Sequence, residues 1–505
     1  MTEQVTTTTS DGTDRATTRT GGPVDAHPGA RPGAQSAAQP DAPPRERRTR
    51  ALRLLAATTA AATLLTGVPA LLTLPDGRSA PAAPSAAAPP VPDASSGRGS
   101  LDAVIAAAQG KLRNAPDDAR TLATLGAAYV EQARVTGDPA YYPRAEEALT
   151  RALASSTPGS AAHVPALVGL AALANARHDF VTAREFAARA VAAEPFDAAA
   201  HGALADALTQ LGAAAEATAA VQRMLDLRPS VASFTRASYD LELRGDTAGA
   251  KAALERALEI AATSDEIAFC RRYLGELARR TGDPAGAVAH FDAGLLASPG
   301  DPALRAGRAA ALTAVDRRDE ALAEYAAATA ALPVPGLLVE YGELLDSTGR
   351  PAEARAQYDL AAASFALLEA NGARDDLARA QFEADHGDPA EALRRAEAEW
   401  ERAPSVFAAD ALGWAFHRNG RDSEALEYAR RAVSGGWRDP LPVGHLAAVE
   451  AAVARQAQPT DAQAQAGVPA QTQTQTQTQT QTQTQTQVQT QAQTQTQAQA
   501  RGGAA

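Results

Sequence analysis

The chain has 505 residues, a formal charge of −12 and one cysteine. Its 3 Trp, 9 Tyr and 10 Phe all fall between Tyr129 and Trp437. The first hundred residues and the last fifty therefore lack anchors for collapse, and composition predicts one folded region of about 350 residues between two disordered arms. From Leu101 to Arg455 there are 36 basic and 50 acidic residues, which argues against a broad nucleic-acid surface, since phosphate neutralisation needs a basic face. Cys270 alone rules out an intrachain disulfide and a Cys-based zinc site, and reads as a small buried helix residue.

Residues 1–44, rich in Thr, Ala, Pro and Gly, read as a disordered arm. A basic flank follows at 45–53, with Arg45, Arg47, Arg48, Arg50 and Arg53. Residues 54–74 are 21 uncharged positions, against the roughly 20 that a helix needs to cross the hydrocarbon core. Five threonines and Pro69 make this run less apolar than a strong span, although Thr hydroxyls can bond back to helix carbonyls. The basic flank precedes it, so the N-terminus is expected in the cytoplasm and everything beyond Asp76 outside. Three readings stay open for the segment: an uncleaved single-pass anchor, an export signal cleaved near Ala80-Pro81-Ala82, and an Ala-rich stretch that never inserts. Residues 75–100, rich in Pro, Ala and Ser, form a spacer.

A repeat governs 101–455. Ala183, Ala190 and Pro195 recur 34 residues later as Ala217, Met224 and Pro229; Ala287, Gly294 and Pro299 recur as Ala321, Ala328 and Pro333. Each unit predicts a first helix with a small residue near its middle (Gly126, Ala171, Ala205, Gly275, Gly342, Gly413), then a turn such as Gly282-Asp283-Pro284, then a second helix with pairs such as Ala287/Phe291 and Ala354/Tyr358. Gly suits the left-handed helix terminus, Asp the following N-cap and Pro the first helical turn. Units end near Pro158, Pro195, Pro229, Ala262, Pro299, Pro333, Ala366, Pro404 and Trp437. Leu101–Asn114 and His445–Arg455 are expected as flanking cap helices.

Leu274-Gly275, Ala278, Gly282, Ala287, Phe291 and Pro299, and again Leu412-Gly413, Phe416, Gly420, Ala425 and Ala432, resemble the tetratricopeptide repeat fingerprint. The tryptophan common at the start of a family unit is absent. The resemblance implies an all-α solenoid of about nine helix-turn-helix units, a right-handed superhelix whose first helices line a concave face that holds a peptide or protein. Projected onto this chain, it puts Asp206, Tyr239, Glu242, Arg272, Glu276, Arg279, Trp414 and His417 toward that face. No complete clamp for a C-terminal carboxylate is found. Competing readings make Arg272 and Glu276 a helix-surface pair, Arg271, Arg272, Arg279 and Arg280 a solvated face, and Trp414 a packing residue.

No His-Glu-x-x-His, phosphate loop, dinucleotide fingerprint or Gly-x-Ser-x-Gly occurs, so no enzyme activity, metal or cofactor is expected. Residues 456–505, rich in Ala, Gln and Thr and from Gln471 nearly pure Gln-Thr alternation with both faces polar, read as a disordered tail. The expected function is a membrane-anchored scaffold that displays its array outside the cytoplasm to a protein or peptide partner. The alternative is a soluble cytoplasmic adaptor or the regulatory subunit of an enzyme complex.

Overall fold

A computed structural model describes residues 97–457, so the expectations for 1–44, 45–53, 54–74, most of the spacer and the Gln/Thr tail lie outside the described residues. Twenty helices follow in order: α1 Gly97–Asn114, α2 Ala119–Thr136, α3 Tyr141–Ala154, α4 His163–Ala176, α5 Phe180–Ala193, α6 Ala198–Gln210, α7 Ala214–Leu227, α8 Val231–Leu243, α9 Thr247–Ile260, α10 Ser264–Arg280, α11 Pro284–Ala297, α12 Pro302–Ala314, α13 Arg318–Ala331, α14 Pro335–Ser347, α15 Pro351–Ala370, α16 Asp376–His386, α17 Pro389–Arg402, α18 Val406–Arg418, α19 Asp422–Val433 and α20 Pro440–Ala457. No strand occurs among the described residues. Helices α2 to α19 pair into nine antiparallel hairpins, with α1 packed on α2 and α20 on α19. Among the described residues no helix is long and apolar enough to cross a membrane.

The helix ends follow from local chemistry. Asp179, Asp197, Asp246, Asp283, Asp301, Asp375 and Asp388 each accept a backbone N–H of the helix they open, and Ser230 and Thr263 close reciprocal capping boxes. Proline opens α11, α12, α14, α15 and α17, where its missing N–H costs nothing. Two turns dispense with glycine: His178 (φ 58°) and Asp316 (φ 61°) adopt the left-handed backbone instead. Tyr141–Pro143 form the first turn of α3, behind a turn in which the Ala140 N–H donates to Asp138.

The core is built on close approach. Ala183, Ala187, Ala190, Ala287, Ala354 and Ala392 have no exposed surface. Phe291, also fully buried, sits between two glycines: a Cβ on Gly275 would fall 2.8 Å from its ring, and one on Gly307 2.3 Å. Two side-chain-free backbones thus make room for one ring across adjacent hairpins, at interior packing density. Successive first helices pack on one another, as in α2 on α4 and α16 on α18, while second helices reach only their flanking first helices closely. The first helices therefore line the inside of the curve.

The array closes on itself. Within the described residues, the turn of each of the first four hairpins lies against a loop of the last four. Gly137 approaches Leu332 and Val334, and Gly372 lies beside Arg177. The Arg374 N–H donates to the Arg177 carbonyl at 2.7 Å. Gly212 abuts the Pro404 backbone and Gly245 abuts Gly436; a Cβ on either would fall under 3.0 Å from a carbonyl oxygen. Both also have positive φ (72° and 80°), so glycine is required twice over at these positions. The result is a seam running along four consecutive turns.

Candidate functional site

Complementary charges one repeat apart pair across neighbouring inner helices. Asp206 on α6 receives Arg236 Nε and Nη2 from α8, both at 2.8 Å. Burial raises the Asp206 carboxyl even against Arg236. Glu242 on α8 receives Arg280 Nε and Nη2 from α10 at 2.6 and 2.9 Å, with both side chains under a tenth exposed. Burial opposes the Arg280 charge, yet Glu242, Glu276 and Asp439 together raise its pKa. Asp439, at the entry to α20, lies 4.0 Å from Arg280 with its side chain fully buried, and burial pushes its carboxyl up to about 6. Since Asp439 follows the last hairpin, Arg280 rivets the far end of the seam.

Glu276 is held by Arg279 at 2.8 Å and by Arg280 at 3.6 Å. Burial would raise its carboxyl, but the two arginines outweigh burial and lower it. Glu340 on α14 continues the cluster: the Tyr325 hydroxyl donates to it at 3.0 Å, and burial lifts it to about 8. Tyr239 stacks on Phe407 of α18, with centroids 6.5 Å apart and planes 2° off parallel, in an apolar knot with Leu377 and Trp437. Burial and then Glu242 raise its phenol.

The remaining sequence-indicated residues lie apart from this cluster. Arg272 bonds the neighbouring Tyr273 hydroxyl at 3.0 Å and covers that ring at 4.7 Å. Glu276 pairs with Arg279 and Arg280, not with Arg272. Trp414 stacks on His445 at 4.1 Å, and its indole N–H donates to Asp385 at 3.1 Å. His417 bonds Asp422 and lies 4.9 Å from the Trp414 ring. The structure thus gathers Tyr239, Glu242, Glu276 and Arg279 near the seam, places Asp206 one hairpin earlier, and sends Trp414 and His417 to the far end. Arg236, Arg280, Glu340 and Asp439 went unrecognised as partners. The signal for the first two was present: Asp206/Arg236 and Glu242/Arg280 are opposite charges 30 and 38 residues apart, close to one repeat.

The side chains with chemical potential are committed to one another. His178 pairs with Asp375 across the seam, His386 with Glu343 and His445 with Asp410. Ser156 lies 3.2 Å from His163 Nδ1, but its hydroxyl also bonds the Leu153 carbonyl. Cys270 is buried, and burial pushes its thiol up to about 12, which suppresses thiolate chemistry. Among the described residues no group of three or more His, Cys, Asp or Glu is arranged to hold a metal ion.

No family model and no curated protein matches the sequence. Solved structures do. Yeast Tom70 is similar at 16% identity, over 71% of this chain and 86% of its own, with a TM-score of 0.36. A tetratricopeptide repeat protein from Parabacteroides merdae ATCC 43184 is similar at 17% identity, over 48% of this chain and 97% of its own, with a TM-score of 0.36. A human IFIT1 dimer with PPP-AAAA is similar at 15% identity, over 66% of this chain and 87% of its own, with a TM-score of 0.40. These neighbours are tetratricopeptide repeat proteins.

Proposed function

We propose that this chain, a tetratricopeptide-type array of helical hairpins, is a non-enzymatic scaffold that holds a protein or peptide partner on the inner surface of its coil. The observation that carries this reading is the seam. It fixes the curvature of the inner helices, so the surface is set before a partner arrives and less ordering entropy is lost on binding. The charged groups on that side serve each other, which suits a template better than a catalyst. The acid excess of the repeat region favours a protein over a nucleic acid.

The scaffold stands outside the cytoplasm on a single-pass anchor formed by residues 54–74, with the N-terminus inside. The support for this is the basic flank and the 21 uncharged residues that follow it. Protease added to intact cells should degrade the repeat region, and an alkaline wash should leave the chain with the membrane. Release by the wash, with protection from protease, would instead select the soluble adaptor. The scaffold reading itself is tested by in-cell crosslinking of the full chain: a defined protein species should be recovered, and recovery of none would refute it.

A further inference from the structure

The junction between hairpins 7 and 8 is unlike the others. Helix α15 has 20 residues where α11, α13 and α17 have 14, and a five-residue loop follows it before α16. Among the described residues α14 and α16 are the successive first helices that approach least. Rings of α15 and not alanine faces fill the junction against α16: Phe365 packs on Phe382 at 5.6 Å, and Tyr358 stacks on His386 at 4.1 Å. Bulky contacts hold the backbones apart, and a partly open pocket of about 50 Å³ remains on the inner side. The pocket is too small for a free cofactor or metabolite, which needs roughly 300 Å³ or more, but has room for the head of one long side chain.

The lining has a definite chemistry. Phe382 and Trp414 supply aromatic surface, and Glu343 and Asp385 supply carboxylates. The Gln381 side-chain oxygen is buried without a hydrogen-bond partner, an acceptor that gains by meeting a donor. Around the pocket the carboxylates of Glu343, Asp346, Asp385 and Asp410 face Arg418, His386 and His445, so acids outnumber cations even with both imidazoles protonated. Arg379 and Glu383 on the same helix, and His417 and Asp422 beyond it, balance each other as pairs. Aromatic surface beside a one-charge excess of carboxylates, together with a spare acceptor, is what a cationic head group requires.

We propose that this pocket takes the arginine or lysine head group of a basic segment in the partner protein. The proposal rests on the scaffold reading and names the chemistry of the partner. The test uses the full chain and a fluorescein-labelled peptide, Gly-Ala-Arg-Leu-Arg-Ala-Gly, with its Glu-for-Arg counterpart, followed by polarisation. The Arg peptide should bind and the Glu peptide should not. Glu343→Gln with Asp385→Asn should weaken binding at least tenfold. Glu255→Gln with Glu259→Gln, which removes the same charge from the exposed face of α9, should leave it within twofold. Gln381→Lys provides a second variant free of the Glu343 and Asp385 pairs; it places a cation in the pocket from within and should also abolish binding. Equal loss in the α9 control, equal binding of the Glu peptide, or no binding of the Arg peptide would overturn the proposal. The crosslinking result above judges the scaffold reading separately, since it does not depend on the charge of the captured protein.

Discussion

Replacing Arg280 by Met removes a buried cation that faces three carboxylates. Arg280 makes two charge-assisted hydrogen bonds to Glu242, at 2.6 and 2.9 Å, and lies 3.6 Å from Glu276 and 4.0 Å from Asp439. Its side chain is 6% exposed and that of Glu242 is 7% exposed, so water cannot replace the lost partner. Breaking a buried pair on one side costs about 3–5 kcal/mol, whereas exchanging both partners for apolar groups is close to neutral. Arg280→Met should therefore destabilise α8, α10 and the entry to α20 by about 3–5 kcal/mol, and Glu242→Leu by a similar amount. The double variant should lose much less than their sum, leaving a coupling of several kcal/mol in the cycle. Hydrogen exchange resolved by segment is the suitable assay, because repeat arrays need not unfold in one step. Faster exchange should appear in α8 and α10 and equally around Asp439, on the other side of the seam. Additive single losses, or an unaffected Asp439 region, would refute the claim that Arg280 rivets the seam.

Phe291→Ala should cost about 3–5 kcal/mol as a large buried cavity, read as a lower urea midpoint; Gly307→Ala should also destabilise, because its methyl would meet the Phe291 ring. Raising the pH from 6 to 9 should lower the urea midpoint. Burial disfavours the charged His178, but Asp375 outweighs it and raises the imidazole pKa, so that contribution is complete below the ordinary histidine value and is lost as pH climbs through the raised one. Glu399, pushed up by burial to about 7, and Glu340, at about 8, hold protons that the unfolded chain has already released, so they act in the same direction. Below about pH 4 the sense reverses as Asp375 and Glu276, both held low by their partners, take up protons; a midpoint that rises steadily from pH 6 to 9 would contradict this assignment. A thiol reagent should label Cys270 only at the rate of local unfolding, so native labelling as fast as that of a free peptide thiol would contradict its burial. Arg177→Cys with Arg374→Cys should form a disulfide under mild oxidation, since the Arg374 N–H donates to the Arg177 carbonyl and the two residues are neighbours; failure to crosslink in the folded chain would count against the seam.

The hairpins were legible because their determinants are local. A Gly-Asp-Pro turn at 282–284 and the Ala287/Phe291 spacing state where a helix ends, where the next begins and which face is buried. The charged pairs were legible only from the repeat spacing, since a first-helix arginine such as Arg280, taken alone, looks the same in sequence whether it faces water or Glu242. Gly387 shows the opposite limit: it marks a turn as its sequence suggests, but with φ −129°, because Glu383 reaches round to accept the Asp388 N–H and no left-handed residue is needed. The seam itself has no local signature. It depends on small rotations added over five hairpins, which no single residue encodes.

That closure removes a freedom usual in repeat arrays. An open solenoid gains or loses a unit with little effect beyond the immediate neighbours. Here each early turn is matched to one particular loop about 190 residues downstream, a separation that also delays folding of the seam. Excising any hairpin between the two would move every glycine of the early edge off its loop. Gly212 would then come opposite the 434–439 loop, and Gly245 would have no loop of the seam left to meet. The number of repeats is in this sense a structural constant of the molecule, enforced by glycine and not by length alone.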